Sequence, residues 1–172
     1  MTLSLYQASV PVFVRALNNL SAILGKAAVH AEAKKIDPSV FINARLAPDM
    51  FPLARQIQSA SDAAKGCAAR LAGAGIPSYA DTEATFTELH ERIAKTIAFL
   101  QGVDAAQIDG GDDRPVTMRL RGGEVRFTAQ SYLLDFALPN FFFHVTTSYA
   151  ILRHNGVEIG KADYLGSFGP TP

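Results

Sequence analysis

Residues 44–73, ARLAPDMFPLARQIQSASDAAKGCAARLAG, decide the fold, because they carry the most regular helical repeat in the chain. With Met50 as the first core position, apolar or small residues recur at Met50, Leu53, Ile57, Ala60, Ala64, Cys67 and Leu71. These alternating steps of three and four lay one narrow stripe along a helix. Arg55, Gln58, Ser59, Asp62, Lys65 and Arg70 fall on the opposite face, as a helix with one wet side requires. Asp49 is placed to cap the start, and Pro52 sits in the first turn, where its missing N–H costs nothing. Gly73 or Gly75 can close the end in a left-handed conformation. The middle of the stripe, Ala60, Ala64 and Cys67, is small. A neighbouring helix that comes close, a large side chain from across the core, or a pocket would each satisfy that pattern.

Upstream, Tyr6, Val10, Phe13, Leu17, Leu20 and Leu24 repeat the same steps and predict a first helix running to about residue 35. Pro11 admits two readings: it lies in the first turn with Ser9 as cap, or it kinks a helix that starts near Leu3. The stretch IDPSVFINARLAP then reads as an irregular connection. Downstream, IPSYAD is a turn, and Thr85 with Glu88 forms a capping box for a third helix. Its stripe is Phe86, Leu89, Ile93, Thr96 with Ile97, and Leu100, and Gly102 ends it. Residues 103–114 read as a surface loop. VTMRL and EVRFT alternate apolar and polar residues around Gly122-Gly123 and predict a hairpin. A fourth helical segment covers about 130–155, interrupted or entered at Pro139, with Leu134, Leu138, Phe141, Val145, Ser148 and Leu152 on its stripe. The tail, VEIGKADYLGSFGPTP, is expected to pack irregularly over one end. Four such helices predict an all-α four-helix bundle with a small β-hairpin inserted before the last helix, one domain over 1–172.

A chain of 172 residues with 48% apolar content suits one core, and folding at this size buries roughly 70% of the unfolded surface. The 16 basic and 16 acidic residues balance without a block of one sign, so the cationic stripe of a nucleic-acid binder is missing. Cys67, the single cysteine, cannot form an internal disulfide and lies on the apolar stripe, where a thiol behaves as a small hydrophobe. The N-terminal MTLSLYQASVPVFV lacks a basic start and is broken by Pro11, which makes a poor signal peptide. No run is read as long enough for a membrane span. The expectation is a soluble cytoplasmic protein with no nucleic-acid or membrane partner.

A bundle builds its sites from inward side chains at one level. His144 flanks the seam of the last helix, Ser148 lies on it, Tyr149 flanks it on the other side, and Asn18 stands at a similar height on the first helix. With Ala60 and Ala64 opposite, these residues either line a pocket or close a packed core in which His144 and Ser148 bond internally. A three-imidazole metal centre needs its ligands at one level. Of the 4 histidines, His30 and His154 are expected to point outward, and His144 and His154 stand roughly 15 Å apart along one axis. Only His90 and His144 remain to converge. CxxC, G-x-S-x-G, HExxH and P-loop motifs are all missing. Cys67 on the seam lacks the access a nucleophile needs.

Three stretches, ARLAPDMFPLARQIQSASDAAKGCAARLAG, FTELHERIAKTIAFL and LPNFFFHVTTSYAILRHNGVEIGKADYLG, resemble a mostly bacterial family of domains of unknown function within the DinB/YfiT-like metalloenzyme superfamily. The resemblance covers nearly the whole chain. It implies a DinB-like bundle, commonly a homodimer, with a core cavity where relatives hold a divalent metal on three histidines. One of those ligands comes from the second helix and two from an H-x-x-x-H pair on the last helix. Here that end reads Arg153-His154-Asn155-Gly156, the residue four before His154 is Ala150, and residues 44–73 contain no histidine. The expectation is therefore no metal and no cofactor. Phe51 and Val14, apolar but off the stripes, are candidates for the dimer face. The function expected is binding of a small molecule or a partner in or near the bundle core; the alternative is an enzyme of unknown reaction, a DinB-like metal-dependent transferase or hydrolase, using the His144 region.

Overall fold

Ser4 opens the first helix, α1 (Leu5–Lys34): its hydroxyl accepts from the Gln7 N–H, and the Gln7 side chain accepts from the Ser4 N–H in return. The computed structural model of the chain describes residues 3–120 and 122–168. Arg121, the Leu120 side chain and residues 169–172 lie outside the described residues. Of the two readings of Pro11, the helix adopts the early start, so Pro11 stands inside α1. It does so on the exposed side, where water can serve the Gln7 carbonyl that Pro11 has no N–H to reach. By length and composition α1 is apolar enough to cross a membrane, more than the sequence reading allowed. Its apolar stripe, however, is spent on the core: Leu17, Leu20 and Leu24 are fully buried.

The stretch expected to be irregular contains a short helix, α2 (Pro38–Ile42), capped by Asp37 and anchored by the buried Phe41 and Ile42. The central helix, α3, spans Leu53–Ala72 and starts later than the sequence suggested. Asp49 does not cap it; Pro52 is the N-cap residue and no side chain bonds there. The cause is Pro52 itself, which forces Phe51 out of the helical region, so the helix cannot reach back to Met50. Gly73 closes α3 at φ 67°, as expected. Leu53, Ile57, Ala60, Ala64, Cys67 and Leu71 are all buried on one stripe. The face expected to be wet is not: Gln58 and Lys65 are each only 5% exposed, because residues 74–84 cross back over that side of α3.

Helix α4 (Phe86–Gln101) opens with the Thr85–Glu88 capping box. Within the expected surface loop, α5 (Ala105–Ile108) drives Ile108 into the core, with Val103 beside it. Strands β1 (Pro115–Leu120) and β2 (Gly123–Thr128) pair antiparallel from Pro115 opposite Thr128 to Leu120 opposite Gly123. Gly123, at φ 119°, is thus the first residue of β2, directly after the turn residue Gly122.

The last helical segment has three parts: α6 (Ala129–Ser131), a π-helical turn (Tyr132–Ala137) and α7 (Leu138–His154). Pro139 accounts for the widened turn. Its ring would collide with the carbonyl four residues back, and a π turn relieves that conflict by taking one extra residue; the Leu138 N–H bonds to the Leu133 carbonyl. The extra residue shifts the register upstream. Leu134, expected on the stripe, is 51% exposed, while Tyr132, Leu133 and Ala137 are buried. The true stripe runs Leu133, Ala137, Phe141, Val145, Ser148 and Leu152. The tail is more ordered than expected: α8 (Lys161–Leu165) lies on α1 through the Lys26–Asp163 ion pair at 2.6 Å and the Asn19 amide donating to the Tyr164 carbonyl at 3.1 Å. A Cβ on Gly166, at φ 71°, would run into the Asn19 side chain.

The chain is mostly helical with one two-stranded hairpin. α3 packs along α7 on one side and α4 on the other, and α1 closes onto α4 and α7. The small centre of α3 shares one core with Phe13, Leu17 and Phe141, and the Phe13 and Phe141 rings meet edge to face at 4.8 Å.

Candidate functional site

His144 projects from the middle of α7 toward α3. Its Nδ1 lies 2.7 Å from the Gln56 side-chain oxygen. The Gln56 amide nitrogen donates to the Phe51 carbonyl at 3.2 Å, which orients the oxygen toward the ring. An amide oxygen only accepts, so His144 carries its proton on Nδ1 and leaves the Nε2 lone pair free. Burial, and then the positive charge of Arg55, hold the His144 pKa below its ordinary value, which favours this neutral form.

His144 borders a groove of about 260 Å³ between α3 and the π turn with α7. Ser59, Asp62, Ala63 and Arg70 form the α3 wall, and Tyr132, Phe136, Asn140 and His144 form the other, with Met118 of the hairpin at the rim. The π turn is what builds that second wall: it brings Tyr132 and Phe136 into a parallel stack with centroids 6.0 Å apart, and Phe127 of β2 packs against both. Arg70 folds back along its own helix, with Nη1 donating to the Gly66 carbonyl at 3.0 Å and to the Tyr132 hydroxyl at 3.2 Å. Glycine at 66 permits this, since a Cβ there would stand 2.7 Å from Nη1. Burial, ahead of every other cause, pushes the Tyr132 phenol up to about 12, so it stays protonated across the physiological range.

The other residues singled out in the sequence fall elsewhere. Ser148 is fully buried and donates to the His144 carbonyl at 2.9 Å. Tyr149 packs against Tyr164 on another side of α7, with centroids 5.9 Å apart. Asn18 is exposed. Ala60 and Ala64 are fully buried, and the groove runs along the adjacent α3 face of Ser59, Asp62 and Ala63. Of that candidate set, only His144 lines the groove. Ser59, Asp62 and Arg70 lie on the face of α3 that the spacing predicts to be wet, and a helical register that takes no account of the π turn does not reveal Tyr132 and Phe136.

Beyond Asp62 the groove wall joins an ionic cluster beneath residues 74–84. The Arg92 side chain, 1% exposed, reaches Asp62 at 2.8 Å, Asp81 at 3.0 Å and Glu83 at 2.9 Å. Lys65 also bonds Asp62, at 2.6 Å, and Gln58 donates to Glu83 at 2.9 Å. Arg55 pairs with Asp81. Lys65 and Lys95 flank the Tyr79 ring at 4.8 and 4.2 Å from its centroid.

A three-histidine metal centre does not fit this arrangement. His144 is engaged by Gln56, His90 lies 2.8 Å from the Ser21 hydroxyl, His30 meets the Phe41 ring, and His154 ends α7. Among the described residues, no three His, Cys, Asp or Glu side chains gather as a metal would need. Burial pushes Cys67 up to about 12, ahead of a smaller opposing effect from Arg70, so its thiol is not a ready nucleophile.

The histidines imply a pH dependence. Burial lowers His144 and His90 below their ordinary value of 6.5, so between that value and the folded ones the unfolded chain binds more protons. Stability present above pH 6.5 is therefore expected to fall as pH drops below it. Urea midpoints measured from pH 8 down to 5 should show this loss, and His144→Asn should flatten part of it. An unchanged slope in the variant would remove His144 from the account.

No curated protein matches the chain. The crystal structure of a DinB family member protein from Shewanella denitrificans is similar to it at 42% identity, over 98% of this chain and 95% of that one, with a TM-score of 0.91. The model of the family described as domain of unknown function DUF1993 matches residues 5–165. With a helical core, an inserted hairpin and this match over nearly its full length, the chain belongs to the DUF1993 family and has a DinB-like fold.

Proposed function

We propose that this DinB-like protein is a four-helix bundle of α1, α3, α4 and α7 that binds a small molecule in the groove beside His144, without a three-histidine metal. The observation that carries the reading is the 2.7 Å contact between His144 Nδ1 and Gln56, which leaves a neutral imidazole with an unshared Nε2 lone pair beside a groove of mixed polar and apolar walls. Ala63, Met118 and Phe136 give the groove apolar surface, and Ser59, Asp62, Arg70, Asn140 and His144 give it polar groups that could orient a bound molecule. A fragment mixture followed by histidine ring NMR is expected to yield compounds that shift His144 and lose binding in Ala63→Phe, which fills the groove from a half-buried position. If no fragment moves the His144 signals, the groove is not a binding site. The same lone pair supports a second reading, acid–base catalysis on the bound molecule, and turnover of a hit would separate the two.

The family resemblance to dimers has a surface to go with it. Leu46, Phe51 and Phe143 are 42, 51 and 55% exposed, and Leu46 and Phe143 border one apolar hollow on α7. Val14, by contrast, is half-buried. Light scattering at micromolar concentration is expected to give twice the chain mass, reduced to the monomer by Phe143→Asp; a monomer in the parent protein would end the dimer proposal.

A further inference from the structure

The groove has chemistry at both ends. At one end, Arg70 is anchored through a single nitrogen: Nη1 makes the bonds to Gly66 and Tyr132. Among the described residues, Nε and Nη2 have no protein partner and no carboxylate pairs with Arg70. Those two nitrogens form the side edge of the guanidinium, the fork that matches a carboxylate in a bidentate pair. The one acid on the groove wall, Asp62, is already taken by Lys65 at 2.6 Å and Arg92 at 2.8 Å, so it competes little for Arg70. At the other end stands His144, whose free Nε2 accepts but does not donate.

From Ser59, near the His144 end, to Gly66, where Arg70 is held, is roughly 10 Å along the α3 axis. Between them lie the apolar Ala63, Met118 and Phe136, with Asp62 and Asn140 also on the lining. The volume of about 260 Å³ corresponds to roughly nine waters, room for a molecule of about ten non-hydrogen atoms.

We infer that the groove takes a small elongated carboxylate: the acid on the free edge of Arg70, a flat apolar body along Phe136 and Met118, and a hydroxyl at the far end donating to His144 Nε2. This rests on the groove reading proposed above and names its ligand class. The Gly66 cradle, the Tyr132 anchor and the locked His144 tautomer hold both polar ends in place before a ligand arrives, which lowers the ordering cost of binding.

The test uses 4-hydroxyphenylacetate as probe, with 4-hydroxyphenylacetamide and phenylacetate as its two controls, by calorimetry and histidine ring NMR on the intact protein. The acid is expected to bind one per chain and shift His144. The amide should bind roughly 10- to 100-fold more weakly, the range for loss of a charge-assisted hydrogen bond, and phenylacetate should bind more weakly without moving His144 in the same way. Arg70→Gln should bring the acid down to the amide, and Arg70→Lys, which keeps the charge but not the fork, should recover only part. Equal binding of acid and amide by the parent protein, a comparison that needs no variant, overturns the carboxylate inference while leaving the groove as a binding site. No binding of any of the three compounds overturns the inference as well; the groove reading then falls only if the wider fragment mixture also leaves His144 unmoved.

Discussion

Replacing Arg92 by methionine is expected to cost about 2–4 kcal/mol of folding free energy and to lower the melting temperature by roughly 5–15 °C. The side chain keeps its bulk in the exchange, so the loss is electrostatic. Arg92 is 1% exposed and holds Asp62, Asp81 and Glu83, whose side chains are 41, 35 and 12% exposed. Without it, Glu83 is left mostly covered beside Gln58 with no cation, and the two aspartates keep only Lys65 and Arg55. Removing one partner of a buried pair costs about 3–5 kcal/mol, and the partial exposure of the aspartates reduces that. The Ala80 carbonyl also loses its donor at 3.0 Å, so residues 74–84 should loosen and become sensitive to protease. Adding Glu83→Gln to Arg92→Met should recover part of the loss, because it removes the most buried orphaned charge. A loss of under about 1 kcal/mol for the single variant would mean that water already screens the cluster as it does an ordinary surface ion pair.

Phe141→Ala is expected to have the larger effect, about 3–5 kcal/mol, the range for truncating a fully buried aromatic ring. Phe141 is fully buried, meets Phe13 edge to face at 4.8 Å, and touches Phe142 at 5.2 Å. It shares one core with the small centre of α3, where Ala60 and Ala64 offer no side chain long enough to collapse into a void. Chemical denaturation measures the loss. In the double variant with Phe13→Ala, the two costs should fall short of additive by about 0.5–1.5 kcal/mol, the usual coupling of an aromatic pair. Full additivity would mean that the two rings fill separate spaces.

Much of this architecture follows from local chemistry. The Thr85–Glu88 box opens α4 and Gly73 closes α3 where the residues imply, since caps are satisfied within one turn of the chain. The stripe Leu53, Ile57, Ala60, Ala64, Cys67 and Leu71 is buried as its spacing requires. The hairpin lies where two alternating runs flank the glycines.

The other face of α3 could not be read from spacing. Gln58, Lys65 and Arg70 are polar, and polarity on a helix normally means water, yet here distant segments supply the partners: residues 74–84 and α4 for the first two, the π turn for the third. The same limit hid the groove, because a helical wheel assumes an unbroken period, and the π turn before Pro139 adds a residue that turns Tyr132 and Phe136 toward α3. The sequence by itself determined the four long helical segments, the Thr85–Glu88 and Gly73 caps and the buried stripe of α3, because those follow from neighbours within a turn or two; α2, α5, α8, the start of α3 and the upstream register of the last helix did not follow from it. Only the tertiary structure decided which polar residues are buried, which aromatic rings border the groove and which nitrogen of His144 is free. Partners far apart in the chain settle the first and the last of these, as Gln58 with Glu83 and His144 with Gln56 do at separations of 25 and 88 residues, and hydrophobic periodicity carries no information about such pairs.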